Sequence, residues 1–228
     1  MVSCRSLMRA SCSSRARDRV ITPSIIRNDG PKTALRPWDK GRDGFAMGEG
    51  AGVLVMKSLE HAMKRDAPII AEYLGGAVNC DAYHMTDLRA DGLGVLSCIQ
   101  SSLEDAGVAL EEVNNINTYA TSILVGDLAE VNAIRQVFKN PSKIKINTTK
   151  SMIGHCLGAS GSLEAIASVK ATTIGWLHLS INQFGPETAF EFDAVTNVKQ
   201  QHEVNVVILN SFGFRGYNSA DVFTPFKP

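Results

Sequence analysis

From about residue 45 onward, short apolar runs alternate with segments in which apolar residues recur every three to four positions. The apolar runs are typical of buried strands and the spaced segments of amphipathic helices. The pattern predicts strands at 51–56, 69–79, 113–117, 143–147 and 204–210, and helices at 58–67, 94–107, 126–139 and 161–175. Such strand–helix alternation predicts an α/β fold in which helices cover both faces of a sheet.

Residues at the ends of these segments give more local predictions. Ser58 is a predicted helix N-cap, and Gly107 is predicted to end the helix before it. The pair Gly75-Gly76 predicts a bulge in its strand. On the last helix, the residues predicted to face inward are Leu163, Ile166 and Val169.

The glycine-rich run GEGAG (48–52) invites a nucleotide-binding interpretation. It lacks the dinucleotide fingerprint, because Val53 stands where the last glycine belongs and a strand is predicted where a helix should follow. It also lacks the Gly-Lys-Ser/Thr end of a phosphate-binding loop. We therefore predict a tight glycine turn that leads into the buried strand at 51–56. The GASGS run (158–162) lacks the spacing of a nucleophile elbow, so close packing of small residues at a helix start is expected.

Composition excludes some classes of function. The 228 residues include 23 basic and 23 acidic side chains, so the net charge favours neither nucleic acid nor an anionic membrane as a partner. No apolar run approaches the roughly 20 residues that span a bilayer. The cysteines are scattered without a C-x-x-C pair, which predicts reduced thiols and no metal site; they are Cys4, Cys12, Cys80, Cys98 and Cys156. No cofactor is predicted.

The N-terminal segment 1–26 differs from the rest of the chain. Its first twenty residues hold five Arg, five Ser and a single acid, Asp18. This composition is typical of an organelle transit peptide, and a disordered or wrongly assigned N-terminus is the alternative. Both interpretations leave 27–228 as the folded region.

Three chemically unusual loops follow predicted strands. They are NTYATSI (117–123), NTTKSMIGHCLGASG (147–161) and NSFGFRGYNS (210–219). Because sites in α/β sheets collect at the carboxyl ends of strands, we expect these loops to share one pocket. Lys150 and His155 lie five residues apart in the second loop, where the loop can bring them together. On spacing alone, a structural role for His155 is more frequent than a catalytic one.

Several motifs carry a resemblance to a known family. They are RPWDKGRDGF (36–45), MGEGAGVLVM (47–56), NCDAYHMTD (79–87), GDLAE (126–130), KSMIGHCLGASG (150–161) and NSFGF (210–214). With them the chain resembles the β-ketoacyl-acyl-carrier-protein synthases of fatty acid synthesis, and most closely the plastid type. The resemblance implies a thiolase-like layered fold of two similar α/β halves, usually dimeric, of which this chain supplies the C-terminal half.

The resemblance also implies a chemistry. In the family, a Cys of the N-terminal half takes the acyl chain as a thioester, and malonyl carrier protein then loses carbon dioxide and attacks it. By position His155 matches one of two histidines that hydrogen-bond the malonyl thioester oxygen. Lys150 matches the family's lysine, with Glu164 as its polar partner. Thr121 matches a threonine that contacts the pantetheine arm, and Phe214 matches the gating phenylalanine.

The departures from the family pattern are as informative. Tyr119 replaces the other histidine, Ile123 replaces a second pantetheine-contacting threonine, and Arg215 replaces a glycine of the FGFGG loop. If that glycine needs a positive φ, Arg215 costs roughly 1 kcal/mol or more. Neither Cys4 nor Cys12 has the setting of a reactive thiolate, since each is flanked by Arg and Ser with no apolar strand before it. The nucleophile is therefore expected to be absent, with Cys156 a packing residue.

Three functions follow from these observations. The first is a β-ketoacyl synthase, or a fragment of one, which alone would be inactive and aggregation-prone. The second is a non-catalytic relative that binds carrier protein or pairs with a full-length synthase, and the third is a truncated product that does not fold independently. The expected partners are acyl carrier protein bearing phosphopantetheine-linked acyl and malonyl groups, and a second copy or a full-length synthase as dimer partner. The expected location is the plastid, with the cytoplasm as the alternative.

Overall fold

The computed structural model describes the backbone of 2–4 and residues 30–140, 143–188, 190 and 192–227. The described helices are α1 (Leu59–Lys64), α2 (Leu93–Ala106), α3 (Leu124–Val137), α4 (Lys150–Ile153) and α5 (Ser160–Ile174). The described strands are β1 (Val2–Cys4), β2 (Met56–Lys57), β3 (Ala71–Cys80), β4 (Val113–Asn117), β5 (Lys145–Asn147), β6 (Trp176–Leu177), β7 (Gln200–Gln201), β8 (Val206–Phe212) and β9 (Tyr217–Pro225). Residues 5–29 lie outside this description, so the interpretation of 1–26 stays a prediction. None of the described helices is long and apolar enough to cross a membrane.

Seven of the described strands form one mixed sheet in the order β2-β1-β3-β9-β8-β4-β5. β9 runs antiparallel to both of its neighbours, and the other pairs are parallel. In the β5–β4–β8 part, Ile116 pairs with Ile146 on one side and with Ile208 on the other. The carboxyl ends of β3, β8, β4 and β5 consequently lie at the same edge of the sheet.

Helices cover both faces of this sheet, which confirms the predicted α/β fold. The side chains of β8 alternate between the faces, as a strand requires. Val206 and Ile208 pack in the core formed with α2 and α3, while Val207 and Leu209 pack in the core formed with α5. Because both sets are apolar, β8 reads as an almost unbroken apolar run.

The local signals at helix and strand ends are confirmed. Ser58 caps α1 by accepting a hydrogen bond from the backbone N–H of His61 at 3.3 Å. Gly107 ends α2 in the left-handed conformation with φ of 64°. The register of β3 against β9 shifts between Tyr73 and Gly75, which is the expected bulge.

The prediction of a buried strand at 51–56 is wrong. Only its last residue enters β2, and Val53 and Val55 are 82% and 57% exposed. The glycine run is no tight turn, since none of residues 48–52 lies in a turn and none of its glycines has a positive φ. A Cβ at Gly48 would collide with the carbonyl oxygen of Ile153, so the run is glycine-rich to let two backbones approach.

The predicted inward face of α5 is also largely wrong. Val169 is buried, but Leu163 is only half-buried and Ile166 is 38% exposed. These two side chains instead lie against the glycine run, where Gly50 and Gly52 face them. The face of α5 that meets the sheet is small and polar; its buried members include Ser160, Glu164, Ala165 and Ser168. The helical spacing of Leu163 and Ile166 therefore reflects their contact with the glycine run and not a contact with the sheet.

Strand β9 was not predicted, because YNSADVFTP mixes polar with apolar residues. It forms a hairpin with β8 through the turn at 213–216, and its alternate residues Ala220 and Val222 complete the core under α2. This hairpin sets the third unusual loop at the carboxyl edge of the sheet.

Candidate active site

The three unusual loops meet at the carboxyl edge and line one cavity of about 270 Å³. The segments 43–45, 86–88 and 124–126 complete its wall. Of the residues singled out in the sequence, those on the wall are Tyr119, Thr121, Ile123, His155 and Phe214. The expectation of one shared pocket at this edge is confirmed by the structure.

Tyr119 and His155 form a hydrogen-bonded pair on the cavity wall. The phenol oxygen Oη lies 3.2 Å from Nε2 of His155, and the two rings meet edge to face with centroids 5.6 Å apart. Phe45 packs against the imidazole and Phe212 against the phenol, at centroid distances of 5.4 and 5.1 Å. The two polar groups therefore sit in an aromatic setting that excludes water from their sides.

The backbone of His155 is clamped to the segment 46–48. Its N–H donates to the carbonyl of Ala46 at 2.8 Å, and its carbonyl accepts from the N–H of Gly48 at 3.1 Å. The preceding Gly154 has φ of 77°, and a Cβ there would lie 2.8 Å from the Cα of Gly48. Glycine on both sides of this contact is what lets the clamp hold His155 at the cavity.

The hydrogen bonds around the imidazole define its tautomer. Nδ1 accepts the backbone N–H of Leu157 at 3.2 Å and lies 2.9 Å from Oγ of Ser160. With Nδ1 an acceptor, the proton of the neutral ring is on Nε2 and is donated to Oη of Tyr119. Burial, and secondarily the charge of Lys150, lowers the pKa of His155 to about 4, so the ring is neutral at pH 7.

Tyr119 keeps its own proton. Burial raises the pKa of the phenol, and the carboxylates of Glu164 and Glu130 raise it further. Because Oη accepts the Nε2 proton of His155, its own O–H is free to be donated into the cavity. The pair thus presents one hydrogen-bond donor, the hydroxyl of Tyr119, to an oxygen atom bound beside it.

Lys150 lies beneath this pair and does not line the cavity. Its ammonium is fully buried, forms an ion pair with the fully buried Glu164, and lies 4.6 Å from the centroid of the Tyr119 ring. The expected pairing of Lys150 with Glu164 is therefore present. Lys150 and His155 converge on Tyr119 from different sides, the cation on the ring face and the imidazole on the hydroxyl.

Two carboxylates on the first turns of α3 hold the loop that carries Tyr119. Glu130 accepts the backbone N–H groups of Tyr119 and Ala120, each at 3.0 Å. Asp127 accepts those of Ser122 at 3.1 Å and Trp38 at 3.2 Å. Burial raises the pKa of both carboxyls, that of Asp127 to about 7 against the opposing charge of nearby Arg42.

Sequence reasoning gave these two carboxylates no role. Their signal was present in the GDLAE motif, where two acids spaced three apart at a helix start fall on one face, toward the preceding loop.

The cavity loops hold non-glycine residues with positive φ, one in each loop. Ser122, Leu157 and Arg215 have φ of 72°, 50° and 64°. Such backbone costs of order 1–3 kcal/mol per residue and clusters where function constrains the chain. Phe214 precedes Arg215 and is 47% exposed at the cavity mouth, as Ile123 is at 36%, while Thr121 is buried.

The described cysteine side chains do not provide a nucleophile in the cavity. Cys80 is exposed, Cys98 and Cys156 are buried, and none of the three lines the wall. Burial raises the pKa of Cys98 to about 11 and also that of Cys156, so both thiols are protonated at pH 7. The side chain of Cys4 and all of Cys12 lie outside the described residues.

Comparison with known proteins identifies the family. The family model described as the β-ketoacyl synthase C-terminal domain matches residues 70–183, half of the chain, and the N-terminal domain model matches 10–62. The chain belongs to the β-ketoacyl synthase family. It is 77% identical over 202 residues to 3-oxoacyl-[acyl-carrier-protein] synthase I, chloroplastic, of Hordeum vulgare, covering 89% of this chain and 44% of the relative. The Arabidopsis thaliana protein of the same name is 74% identical over 202 residues, with 89% and 43% covered.

A solved ketosynthase shares the fold of this β-ketoacyl synthase chain. It is the ketosynthase of a type II polyketide synthase, bound to a hexaketide and in complex with its acyl-carrier protein. The two superimpose with a TM-score of 0.84 at 31% identity, over 90% of this chain and 51% of that one. The thiolase-like fold implied by the sequence motifs is thereby confirmed. The chain spans less than half the length of the curated synthases that it matches.

Proposed function

We propose that this chain is the C-terminal part of a β-ketoacyl-acyl-carrier-protein synthase of plastid fatty acid synthesis. The observation that carries the proposal is the Tyr119–His155 pair, joined at 3.2 Å on the wall of a cavity with aromatic sides. The names of the barley and Arabidopsis relatives supply the substrate class and the chloroplast location. The reaction is the decarboxylative Claisen condensation of an acyl thioester with malonyl carrier protein.

In this reaction the pair stabilises the charge that develops on the malonyl thioester. When the malonyl carboxylate leaves as carbon dioxide, its bonding electrons move to the thioester, whose oxygen becomes an enolate. The Oη–H of Tyr119 donates a hydrogen bond to that oxygen, while the Nε2–H of His155 stays bonded to Oη and polarises the hydroxyl as a donor. The low pKa of His155 suits this role, because a neutral imidazole donates a hydrogen bond without protonating the carbanion.

Lys150 acts through Tyr119. Its buried ammonium lies 4.6 Å from the centroid of the phenol ring, and this cation–π contact holds the ring so that the hydroxyl stays at the cavity. Glu164 holds the ammonium in place by the ion pair. We therefore assign Lys150 and Glu164 to positioning and electrostatics within the site.

Thr121, Ile123 and Phe214 are assigned to the entry path of the pantetheine arm. All three lie on the cavity wall, and Phe214 and Ile123 are partly exposed at its mouth. Ile123 offers no hydroxyl to the arm, so Thr121 carries the polar contact on this wall. Phe214 lies on the turn strained at Arg215, where a shift of the turn would open or close the mouth.

In this proposal the nucleophilic thiolate does not come from the described cysteine side chains. A synthase needs a thiolate at the cavity to hold the acyl group, and no described cysteine side chain lies there. We therefore propose that the chain alone forms no acyl-enzyme. Exposed apolar residues such as Val53 and Val55 would make it aggregation-prone without a partner.

A chimaera tests this proposal. In the barley synthase I, the 202 residues that match are replaced by those of this chain, and ketoacyl product and malonyl decarboxylation are assayed with acyl and malonyl carrier proteins. We expect activity lower than that of intact barley synthase, and we expect Tyr119→Phe, which removes the hydroxyl donor, to lower the activity of the chimaera roughly a further 10²- to 10³-fold, the usual value of one oxyanion donor. A chimaera that folds and is active but loses nothing with Tyr119→Phe refutes the role of the pair. Robust condensation by the chain alone refutes the missing nucleophile.

A second candidate is a non-catalytic homologue that binds carrier protein or pairs with a full-length synthase. This candidate is favoured by Tyr119 and Ile123, which differ from the residues of the family pattern and both lie on the cavity wall. In that case the chain binds carrier protein or synthase in a pull-down or by calorimetry, while the chimaera stays inactive with Tyr119→His.

A further inference from the structure

The side of His155 that faces away from the cavity is held by two groups of different chemistry. Nδ1 lies 3.2 Å from the backbone nitrogen of Leu157 and 2.9 Å from Oγ of Ser160, the first residue of α5. A backbone N–H can only donate, whereas a hydroxyl can donate or accept by rotating its proton. Ser160 is 5% exposed, so water has little access to replace it.

This difference decides what happens when the ring gains a proton. In the neutral ring Nδ1 has a lone pair and can accept from both Leu157 and Ser160. In the imidazolium Nδ1 carries a proton and needs an acceptor, which the N–H of Leu157 cannot be. The hydroxyl of Ser160 can turn its lone pair to that proton, so its hydrogen bond survives the change.

We propose that Ser160 is a positioning residue of the site, whose hydroxyl orients the imidazole of His155 and accepts its Nδ1 proton when the ring is charged. The proposal concerns the same site as the proposed function and rests on it for the role of His155 as a hydrogen-bond donor. Ser160 acts through the ring and contacts no substrate. Its hydroxyl sets how readily His155 leaves the neutral state in which Nε2–H faces Tyr119.

The other titratable groups around the ring act at different atoms. The phenol of Tyr119 contacts Nε2. Lys150, which forms an ion pair with Glu164, disfavours a charged imidazole through space. On the same wall are the carboxylates of Asp43 and Asp87, and the thiol of Cys156 is next in the chain. A change confined to Ser160 therefore alters the Nδ1 side while these groups stay in place.

The full chain with ¹⁵N-labelled histidine provides the test, read by NMR of the ring nitrogens. In Ser160→Ala at pH 7 we expect the unprotonated Nδ1 resonance to move downfield, because the hydroxyl donor is lost. We also expect the proton affinity of the ring to fall roughly two- to tenfold, because the hydrogen bond of Ser160 with the charged ring is stronger than its hydrogen bond with the neutral ring. A merely structural role of Ser160 would leave both quantities of the folded protein unchanged.

Ser162 provides the matched control. It lies in the same turn of α5, and its hydroxyl donates to the carbonyl of Ala159 at 2.9 Å instead of to His155. Ser162→Ala should leave the Nδ1 resonance and the proton affinity of His155 at their wild-type values. A Ser160→Ala protein that matches Ser162→Ala in both readouts overturns the proposal.

A second pair of variants tests the proposal in case Ser160→Ala folds poorly. Ser160→Thr and Ser160→Val have the same shape, and only Thr keeps the hydroxyl. We expect Thr to retain the wild-type titration and Val to show the loss; equal titrations of the two overturn the proposal. These readouts do not depend on synthase activity. An inactive chimaera with the expected shifts counts against the proposed function alone, and unchanged shifts with an active chimaera count against Ser160 alone.

Discussion

Replacing Lys150 by Met tests the buried ion pair under Tyr119. Lys150 and Glu164 are both fully inaccessible, so Lys150→Met leaves a carboxylate in the interior without a cation. Breaking a buried pair from one side typically costs about 3–5 kcal/mol. The loss of the cation above the Tyr119 ring adds about 1–2 kcal/mol. Against a total stability of about 5–15 kcal/mol, this change removes a large fraction.

The penalty should depend on pH, since Glu164 can escape it by taking up a proton. Burial already raises the pKa of Glu164, and removing the adjacent cation raises it further. A carboxyl with a raised folded-state pKa binds more protons folded than unfolded, so it stabilises the fold toward low pH. Lys150→Met should therefore be most destabilised near pH 7 and least near the unfolded pKa of about 4.3.

Urea-induced unfolding followed by tryptophan fluorescence measures both effects. The double variant Lys150→Met/Glu164→Gln, which removes both charges, should recover at least half of the loss at pH 7. Lys170→Met, on an exposed lysine of α5, is the control and should stay within about 0.5 kcal/mol of wild type. A loss below about 1 kcal/mol for Lys150→Met, unchanged by the second substitution, would refute the uncompensated-charge argument.

Three further changes test the backbone and the imidazole. Gly48→Ala should destabilise the fold by several kcal/mol, because its Cβ collides with the carbonyl of Ile153; a wild-type urea midpoint would contradict this. Arg215→Gly should stabilise by a few tenths to about 1 kcal/mol, because relief of the left-handed backbone exceeds the gain in unfolded-state freedom, and a lower thermal midpoint would argue against it. His155 should titrate near pH 4 by NMR, and a midpoint near pH 6.5 would disprove its burial. Its contribution to the free energy of unfolding should be complete above about pH 6.5 and should decline toward pH 4 by roughly 1.4 kcal/mol per pH unit.

Much of the fold follows from local patterns in the sequence. Apolar runs and helical spacing predicted β3, β4, β5 and β8 and the helices α1, α2, α3 and α5, because each buries apolar side chains at its own period. The two wrong predictions share one cause. At 51–56 and on the inner face of α5, glycine contacts and a buried polar cluster replace the usual apolar packing, so periodicity pointed the wrong way.

The candidate site, like the fold, could be predicted from the sequence only in part. Motifs in the sequence singled out Tyr119, Lys150, His155 and Phe214, and topology predicted that their loops share an edge. Motif matching could not assign Asp127 or Glu130, because their partners are backbone N–H groups of another segment. It could not assign Ser160 either, because a hydroxyl at a helix start is ordinary until a ring nitrogen is found beside it.

The sequence by itself determined the family and most of the longer strands and helices, since each depends on residues close together in the chain. Only the tertiary structure decided that Lys150 lies on the face of the Tyr119 ring while His155 meets its hydroxyl. It also decided the tautomer of His155. Those properties arise from burial and from contacts between distant segments, and electrostatic and hydrogen-bond energies depend on such distances and on exclusion of water.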